Sequence, residues 1–277
     1  MDALFEKEFD RQQAQIRDLP LPSGSIYLQP RDVLKAHFEI ASYFSAIGEG
    51  IGGLGVKDPR LLESAVARQD TSFGGVFKWK RHLDIISSLF FGIIKNHPFY
   101  DANKRTALLC CLYQLERISR VPKVREKELE DFTVDVAEDQ LAKHDRERYF
   151  HKHPCDIAYV LVISDFLQKS TRKAKDEQRL ITYRQLNTLL HKYGFEIRDK
   201  GGNHADVVRI ADGQKLRGIG FPGMSVEVSR GDLKRIRDAT GLTKRYGIDD
   251  AVFFEGLENH QALIEKYNVA LRSLAGR

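Results

Sequence analysis

His97-Pro98-Phe99-Tyr100-Asp101-Ala102-Asn103-Lys104-Arg105 joins two apolar runs, and the rest of the chain can be organised around it. Upstream, Leu83, Ile86, Phe90, Ile93 and Ile94 recur at helical spacing; downstream, Ala107, Leu108, Cys111, Leu112 and Leu115 do the same. The nine residues are therefore the connection between two buried helices, and they end where the second helix begins. A helix start presents unpaired N–H groups and partial positive charge, which suits an anion. Capping would need one short polar side chain, Asp101 or Asn103. It does not explain a His, a Lys and an Arg in the same turn. Read as chemistry, Lys104 and Arg105 supply cations, Asp101 can hold a divalent metal and His97 can move a proton, which together make a phosphate-handling site.

The stretch resembles the signature of the Fic/Doc family, usually spelled His-Pro-Phe-x-Asp/Glu-Gly-Asn-Gly/Lys-Arg, with Ala102 where the Gly is usual. Its Asn-Lys-Arg ending is similar to the Doc, or death-on-curing, branch. Gly48-Glu49-Gly50-Ile51-Gly52-Gly53-Leu54-Gly55-Val56-Lys57-Asp58-Pro59 and the helix after it resemble the Gly-rich turn of Doc-like toxins, and Ser72-Phe73-Gly74-Gly75 resembles their flap. The resemblance implies an all-α fold over residues 25–168. It implies that His97 is the general base on a hydroxyl of a target protein, a role suited to a near-neutral pKa. It implies that Asp101 binds Mg²⁺, that Asn103 and the backbone of Ala102 and its neighbours hold phosphate, and that Arg105 clamps phosphate with Lys104 adding charge. ATP is then the phosphate donor.

Two positions depart from the nucleotidyl-transferring pattern. Lys104 replaces a Gly, and Leu108 stands where a second Arg is expected. The Doc resemblance then implies that the γ-phosphate is presented, giving a protein Ser/Thr phosphotransferase; AMP transfer (AMPylation) is the alternative. It also implies elongation factor Tu as a target and a separate antitoxin as a controlling partner. Ser45-Ala46-Ile47-Gly48-Glu49-Gly50 fits the spelling of the inhibitory helix carried by many Fic proteins, but its glycines mark a turn rather than a helix.

The chain has 277 residues, 42% of them hydrophobic, and a formal net charge of +5, room for one large or two ordinary domains. No apolar run is long enough to cross a bilayer, and the N-terminus lacks a signal-peptide pattern. The three cysteines, Cys110, Cys111 and Cys155, have no metal or redox spacing. A reducing cytoplasm is the expectation.

Residues 1–24 read as an amphipathic helix over Asp2–Arg17 and a linker at Leu19-Pro20-Leu21-Pro22-Ser23-Gly24, the helix packing on the core, with binding a partner or covering the site as the alternatives. Further helices are expected at Asp32–Phe44, Pro59–Val66, Glu126–Ala142 and Cys155–Phe166. Residues 169–180 are charged and nearly free of apolar side chains, which predicts a linker. Residues 181–277 then form a second domain: a helix over Thr182–Tyr193, strands at Phe195–Arg198, Ala205–Ile210 and Ser225–Val228, a helix over Asp232–Ala239, and a last helix over Leu257–Leu274. That order predicts a small α+β fold. Tyr193-Gly194-Phe195, Lys200-Gly201-Gly202-Asn203-His204 and Val228-Ser229-Arg230-Gly231-Asp232-Leu233 resemble the HicA toxins, whose fold is like a double-stranded-RNA-binding domain. There His204 would serve RNA cleavage, with Asn203 in place of a Ser; a structural His at a strand start is the alternative. Arg230, Lys234, Arg235, Arg237, Lys244 and Arg245 form either an RNA-contacting patch or a solvated face.

Overall fold

The computed structural model describes residues 3–22, 26–73, 76–141, 149–173, 181–243, 245, 253 and 260–275. The chain divides into two compact units, Met1–Lys173 with Asn259–Arg277, and Ala174–Glu258.

The first unit is built from α1 (Ala3–Gln13), α2 (Pro30–Ala46), α3 (Pro59–Ala67), α4 (His82–Asn96), α5 (Asn103–Arg117), α6 (Glu126–Ala137) and α7 (Cys155–Ser170). Pro30 and Pro59 open α2 and α3, where a missing N–H costs nothing, and Asp58 caps α3 by accepting from the Arg60 N–H at 2.9 Å. The central helix is α4, which is apolar on nearly every side and packs against α3, α5 and α7. Gly92 belongs to that packing, since a Cβ there would stand 2.8 Å from the Ala65 carbonyl of α3. Leu34, Phe38, Ile86, Leu89, Ile93, Leu109 and Leu112 fill the core between α2, α4 and α5. Helix α1 lies on α2, with Phe9 edge-on to Phe38 at 5.7 Å.

Two strand pairs interrupt the helices. β1 (Ser72–Phe73) pairs antiparallel with β2 (Val76–Phe77), so the first half of the expected flap is a short strand; Gly74 and Gly75 lie outside the described residues. β3 (Arg120–Pro122) pairs with β4 (Thr171–Lys173). This corrects the expected linker at its start: Lys169 and Ser170 finish α7, and Thr171–Lys173 is held by a strand partner fifty residues away. The remaining 174–180 lie outside the described residues. Within the described residues α6 ends at Ala137 and is followed by turn as far as Leu141.

The second unit runs α8 (Tyr183–Lys192), β5 (Phe195–Gly201), β6 (His204–Arg209), β7 (Lys215–Gly220) and α9 (Arg230–Thr240). The strands form one antiparallel sheet in the order β5-β6-β7. Thr182 caps α8 through a capping box, and Gly241 ends α9 in the left-handed region at φ +73°. The core pairs Leu186, Leu189, Leu190, Leu233 and Ile236 of the helices with Ile197, Ala205, Val207 and Ile219 of the sheet. The helix–three-strand–helix order agrees with the sequence, but the third strand does not. Ser225–Val228 joins no sheet and bonds the chain around the start of α8, with a bridge between Glu227 and Thr182, while Lys215–Gly220 is the third strand. Its Gly218 and Gly220 lower β propensity and hid it.

The end of the chain is a second correction. The expected single helix is broken into α10 (His260–Lys266) and α11 (Asn268–Ser273), and both belong to the first unit. Helix α10 packs on α2 and α5, burying Leu263 and Ile264, and His260 lies 3.0 Å from Glu39. Helix α11 is fixed by the Ala270 N–H donating to Glu126 at 3.0 Å and by Arg272 paired with Glu49 at 2.7 Å. The second unit is thus inserted into the first, because the apolar stripe of the last helices finds its complement on α2 and α5.

Candidate active site

The loop between α4 and α5 is a tight reversal bracketed by two residues in left-handed backbone. His97 closes α4 at φ 45°, and Ala102 opens α5 at φ 58°. Each such conformation costs an L-residue about 1–2 kcal/mol, so surrounding contacts must hold it. Several do. Phe99 is completely buried and anchors the loop in the core. The Asn103 side chain folds back on it: the Phe99 N–H donates to Asn103 Oδ1 and Asn103 Nδ2 donates to the Phe99 carbonyl, both at 3.0 Å.

The Gly-rich stretch after α2 completes the support by pairing with the loop as an irregular antiparallel strand. The Lys57 N–H donates to the Pro98 carbonyl at 2.8 Å and the Tyr100 N–H to the Gly55 carbonyl at 3.1 Å, flanking a bridge between Val56 and Phe99. This closeness explains the glycines. A Cβ on Gly53 would sit 2.7 Å from Tyr100 Cβ, and one on Gly52 would sit 3.3 Å from the Asp101 carboxylate. Without it, the Gly52 N–H donates to Asp101 Oδ2 at 2.7 Å. Gln12 of α1 reaches the same stretch, accepting from the Val56 N–H at 2.9 Å.

Asp101 also accepts from the Ala102 N–H at 2.5 Å, and its Oδ2 lies 3.5 Å from Arg105 Nη2. Burial works to raise its carboxyl, but the two N–H groups and the Arg105 charge outweigh that and hold it below the usual range. An ionised, partly exposed carboxylate on a shaped loop fits Mg²⁺, which characteristically takes one or two protein carboxylates and fills its shell with water and phosphate oxygens. Among the described residues no group of three or more His, Cys, Asp or Glu is placed to hold a metal without such help.

Arg105 is only 2% exposed, yet its Nε and Nη1 have no hydrogen-bond partner. Its guanidinium packs over the Phe44 ring at 5.1 Å, and burial pulls its pKa down, opposed by Asp101 and Glu49. Each unpaired buried donor costs about 1–3 kcal/mol. The first turn of α5 has no side-chain cap either, because its N-cap is Ala102. Unpaired guanidinium donors beside an uncapped helix start form a cradle for an anion.

His97 is exposed at the rim of this cradle. Partial burial, and then the charges of Lys57, Lys95 and Lys104, pull its imidazole below 6.5. It is therefore neutral at physiological pH and able to accept a proton. Lys95 is itself fixed by Asp139 at 2.6 Å and the Ala137 carbonyl at 3.2 Å. His97, Asp101, Ala102, Asn103, Lys104 and Arg105 are thus gathered on one loop and one helix start. The Asn103 amide bonds the Phe99 backbone on both sides and shapes the loop, and its NH₂ group keeps a second N–H. Leu108 is buried in the core and offers no charge.

The sequence reading missed His37, which stands on the inner face of α2 among Val33, Phe38 and Ile40. A lone histidine at an inward position of an apolar helix was the available signal. Ser45-x-x-x-Glu49 does not form one helix: α2 ends at Ala46, Gly48 takes φ +78°, and the Glu49 N–H turns back to the Phe44 carbonyl.

In the second unit, His204 is exposed at the start of β6, opposite Gly220 and Gly201. It lines an open cleft with Lys200, Asp206, Lys215 and Gly218, in which Asp206 pairs with Lys200 at 3.0 Å and Lys215 at 2.7 Å. In the expected basic patch Arg230, Lys234, Arg235 and Arg245 are exposed, while Arg237 is half-buried. Arg237 stacks over Phe253 at 4.5 Å and donates to the Leu242 carbonyl, and Arg235 pairs with Asp232. Lys244 lies outside the described residues.

Comparison with known proteins bears on the first unit. The model of the Fic/DOC family matches residues 27–115. The chain is 35% identical over 113 residues to a protein named Toxin Doc from Mycolicibacterium smegmatis, a match covering 41% of this chain and 75% of that protein. No solved structure matches the chain. No helix among the described residues is long and apolar enough to cross a membrane.

Proposed function

The chain belongs to the Fic/DOC family, and on that premise we propose that it transfers the γ-phosphate of ATP to a hydroxyl of a target protein. The observation that carries the reading is Arg105, buried with two unpaired guanidinium donors beside the uncapped start of α5 and within reach of Asp101. A phosphate there supplies the missing acceptors. His97, neutral and exposed at the rim, takes the proton of the incoming hydroxyl. The hydroxyl oxygen bonds to the γ-phosphorus as the bond to the β,γ-bridging oxygen breaks, so ADP leaves and His97 later returns the proton to solvent. Asp101 would hold Mg²⁺, which supplies charge neutralisation on the phosphates. Asn103 keeps the loop in shape, and Lys104 adds positive charge.

Leu108 supports γ-phosphate rather than AMP transfer. A buried leucine cannot pair with a triphosphate tail, so the α-phosphate has no second arginine to seat it facing the target. ATP labelled at the γ- or the α-phosphate tests the choice. Label from the γ-position is expected on the target, with elongation factor Tu the first acceptor to try; label from the α-position overturns the reading in favour of AMP transfer. A separate antitoxin is the partner proposed to restrain it, checked by whether a protein that co-purifies with the chain from its native cells suppresses the transfer.

A second reading attaches to the second unit. Lys200, Lys215 and His204 around the cleft suit the phosphates of RNA. Filter binding that strengthens as salt is lowered is expected, and salt-independent or absent retention dismisses it.

A further inference from the structure

His37 is completely buried where four pieces of the first unit meet. Its Nε2 accepts from the Gly55 N–H at 3.0 Å, so the ring proton is on Nδ1, which faces Thr106 Oγ1 of α5 at 3.3 Å. Its ring lies flat on Phe99 of the α4–α5 loop, with centroids 4.1 Å apart and planes within 6°. It is itself part of α2. A buried histidine could be simple filling. Filling would not require a nitrogen aimed at the backbone of a Gly-rich strand, since a buried N–H left without an acceptor costs about 1–3 kcal/mol.

The chain of contacts continues outward. Gly55, held through its N–H by His37, uses its carbonyl to hold the Tyr100 N–H, and three residues earlier in the same Gly-rich stretch the Gly52 N–H holds Asp101. The groups facing the ring are Arg105 and Asp101. Burial and then the Arg105 charge drive its pKa down to about 3, with Asp101 opposing, so Nε2 remains an acceptor throughout the working range.

We propose that His37 is a positioning residue for the active-site loop: its neutral imidazole fixes the Gly52–Lys57 strand against residues 98–101 and thereby sets where Asp101 and His97 stand. The proposal rests on the reading of residues 97–105 as the catalytic loop. It assigns His37 no contact with substrate.

The test uses the full-length protein carrying His37→Phe, which keeps the ring stacked on Phe99 but removes both nitrogens, and His37→Gln, whose amide oxygen can reach the Nε2 position. Amide hydrogen exchange and labelled-ATP transfer are measured for each. For His37→Phe, exchange at Gly55 and Tyr100 is expected to accelerate at least about tenfold while α4 amides keep wild-type protection. Its kcat is expected to fall about tenfold or more, with the KM for ATP changed less than about threefold, because Arg105 and the α5 start remain in place. His37→Gln should recover most of both losses. Unchanged exchange and kcat in His37→Phe, acceleration spread evenly over α2, α4 and α5, or equal losses in both variants would each overturn it. If the wild-type protein itself transfers neither label, the functional reading fails, and the exchange pattern alone then decides whether His37 holds the loop.

Discussion

Two histidines of this chain sit at or directly after points of left-handed backbone, and their settings differ in kind. His97 is the left-handed end of a core helix, and His204 follows a turn in which Gly201, Gly202 and Asn203 all have positive φ. Around His97, buried groups converge from α2, α5 and the Gly-rich strand, and three lysines bias its charge state. Around His204, an Asp206 that is itself buried is paired with the exposed Lys200 and Lys215. The difference teaches that a reactive side chain is marked less by its own type than by what has been buried to hold it. Fixed geometry within about 0.5 Å needs locked supports, and the first loop draws them from three separate elements.

The comparison is broken most directly by exchanging the histidines' roles. His97→Ala is expected to lower transfer of label from ATP by roughly two to four orders of magnitude, as for loss of a general base, while His204→Ala leaves it at the wild-type rate. Equal losses would erase the contrast. Arg105→Lys keeps one charge but loses the planar fork, and transfer at saturating ATP should fall by about two orders of magnitude. A wild-type rate would mean the unpaired donors play no part.

Smaller effects sharpen it. Gly92→Ala pushes a methyl into the Ala65 carbonyl of α3, and overpacking there should destabilise by about 1–3 kcal/mol, read from denaturant midpoints. The pH profile reports the lysine field. His97 must be neutral to act, and its pKa is depressed, so the acid limb of kcat should have its midpoint below 6.5. Lys57→Gln removes one of the depressing charges and should move that midpoint up toward 6.5; a downward move would reverse the assigned sign. The smallest change concerns Ala102, whose φ of 58° suits glycine. Ala102→Gly should stabilise by up to about 1 kcal/mol, because relief of the left-handed strain exceeds the extra entropy glycine loses on folding.

Much of the scaffold was legible because its signals are local. Helical spacing located α2 to α5 to within a few residues, Pro59 marked where α3 starts, and Gly241 marked where α9 stops. The site's charged residues were legible because they are consecutive. What escaped was whatever depended on a distant partner. Thr171–Lys173 reads as polar linker until Arg120–Pro122 lies beside it. Lys215–Gly220 reads as loop until β6 supplies its register. The helices after residue 260 read as the tail of the second domain until α2 and α5 offer an apolar groove.

The sequence by itself determined the run of polar and charged residues at 97–105, the helices on either side, and a helix–sheet–helix order in the second unit, because spacing and caps act over a few residues. Only the tertiary structure decided that Asn103 is a brace, that Arg105 is buried with donors to spare, that His37 holds the Gly-rich strand, and that the chain's end returns to the first unit. Those are outcomes of burial, and burial depends on which distant surfaces meet.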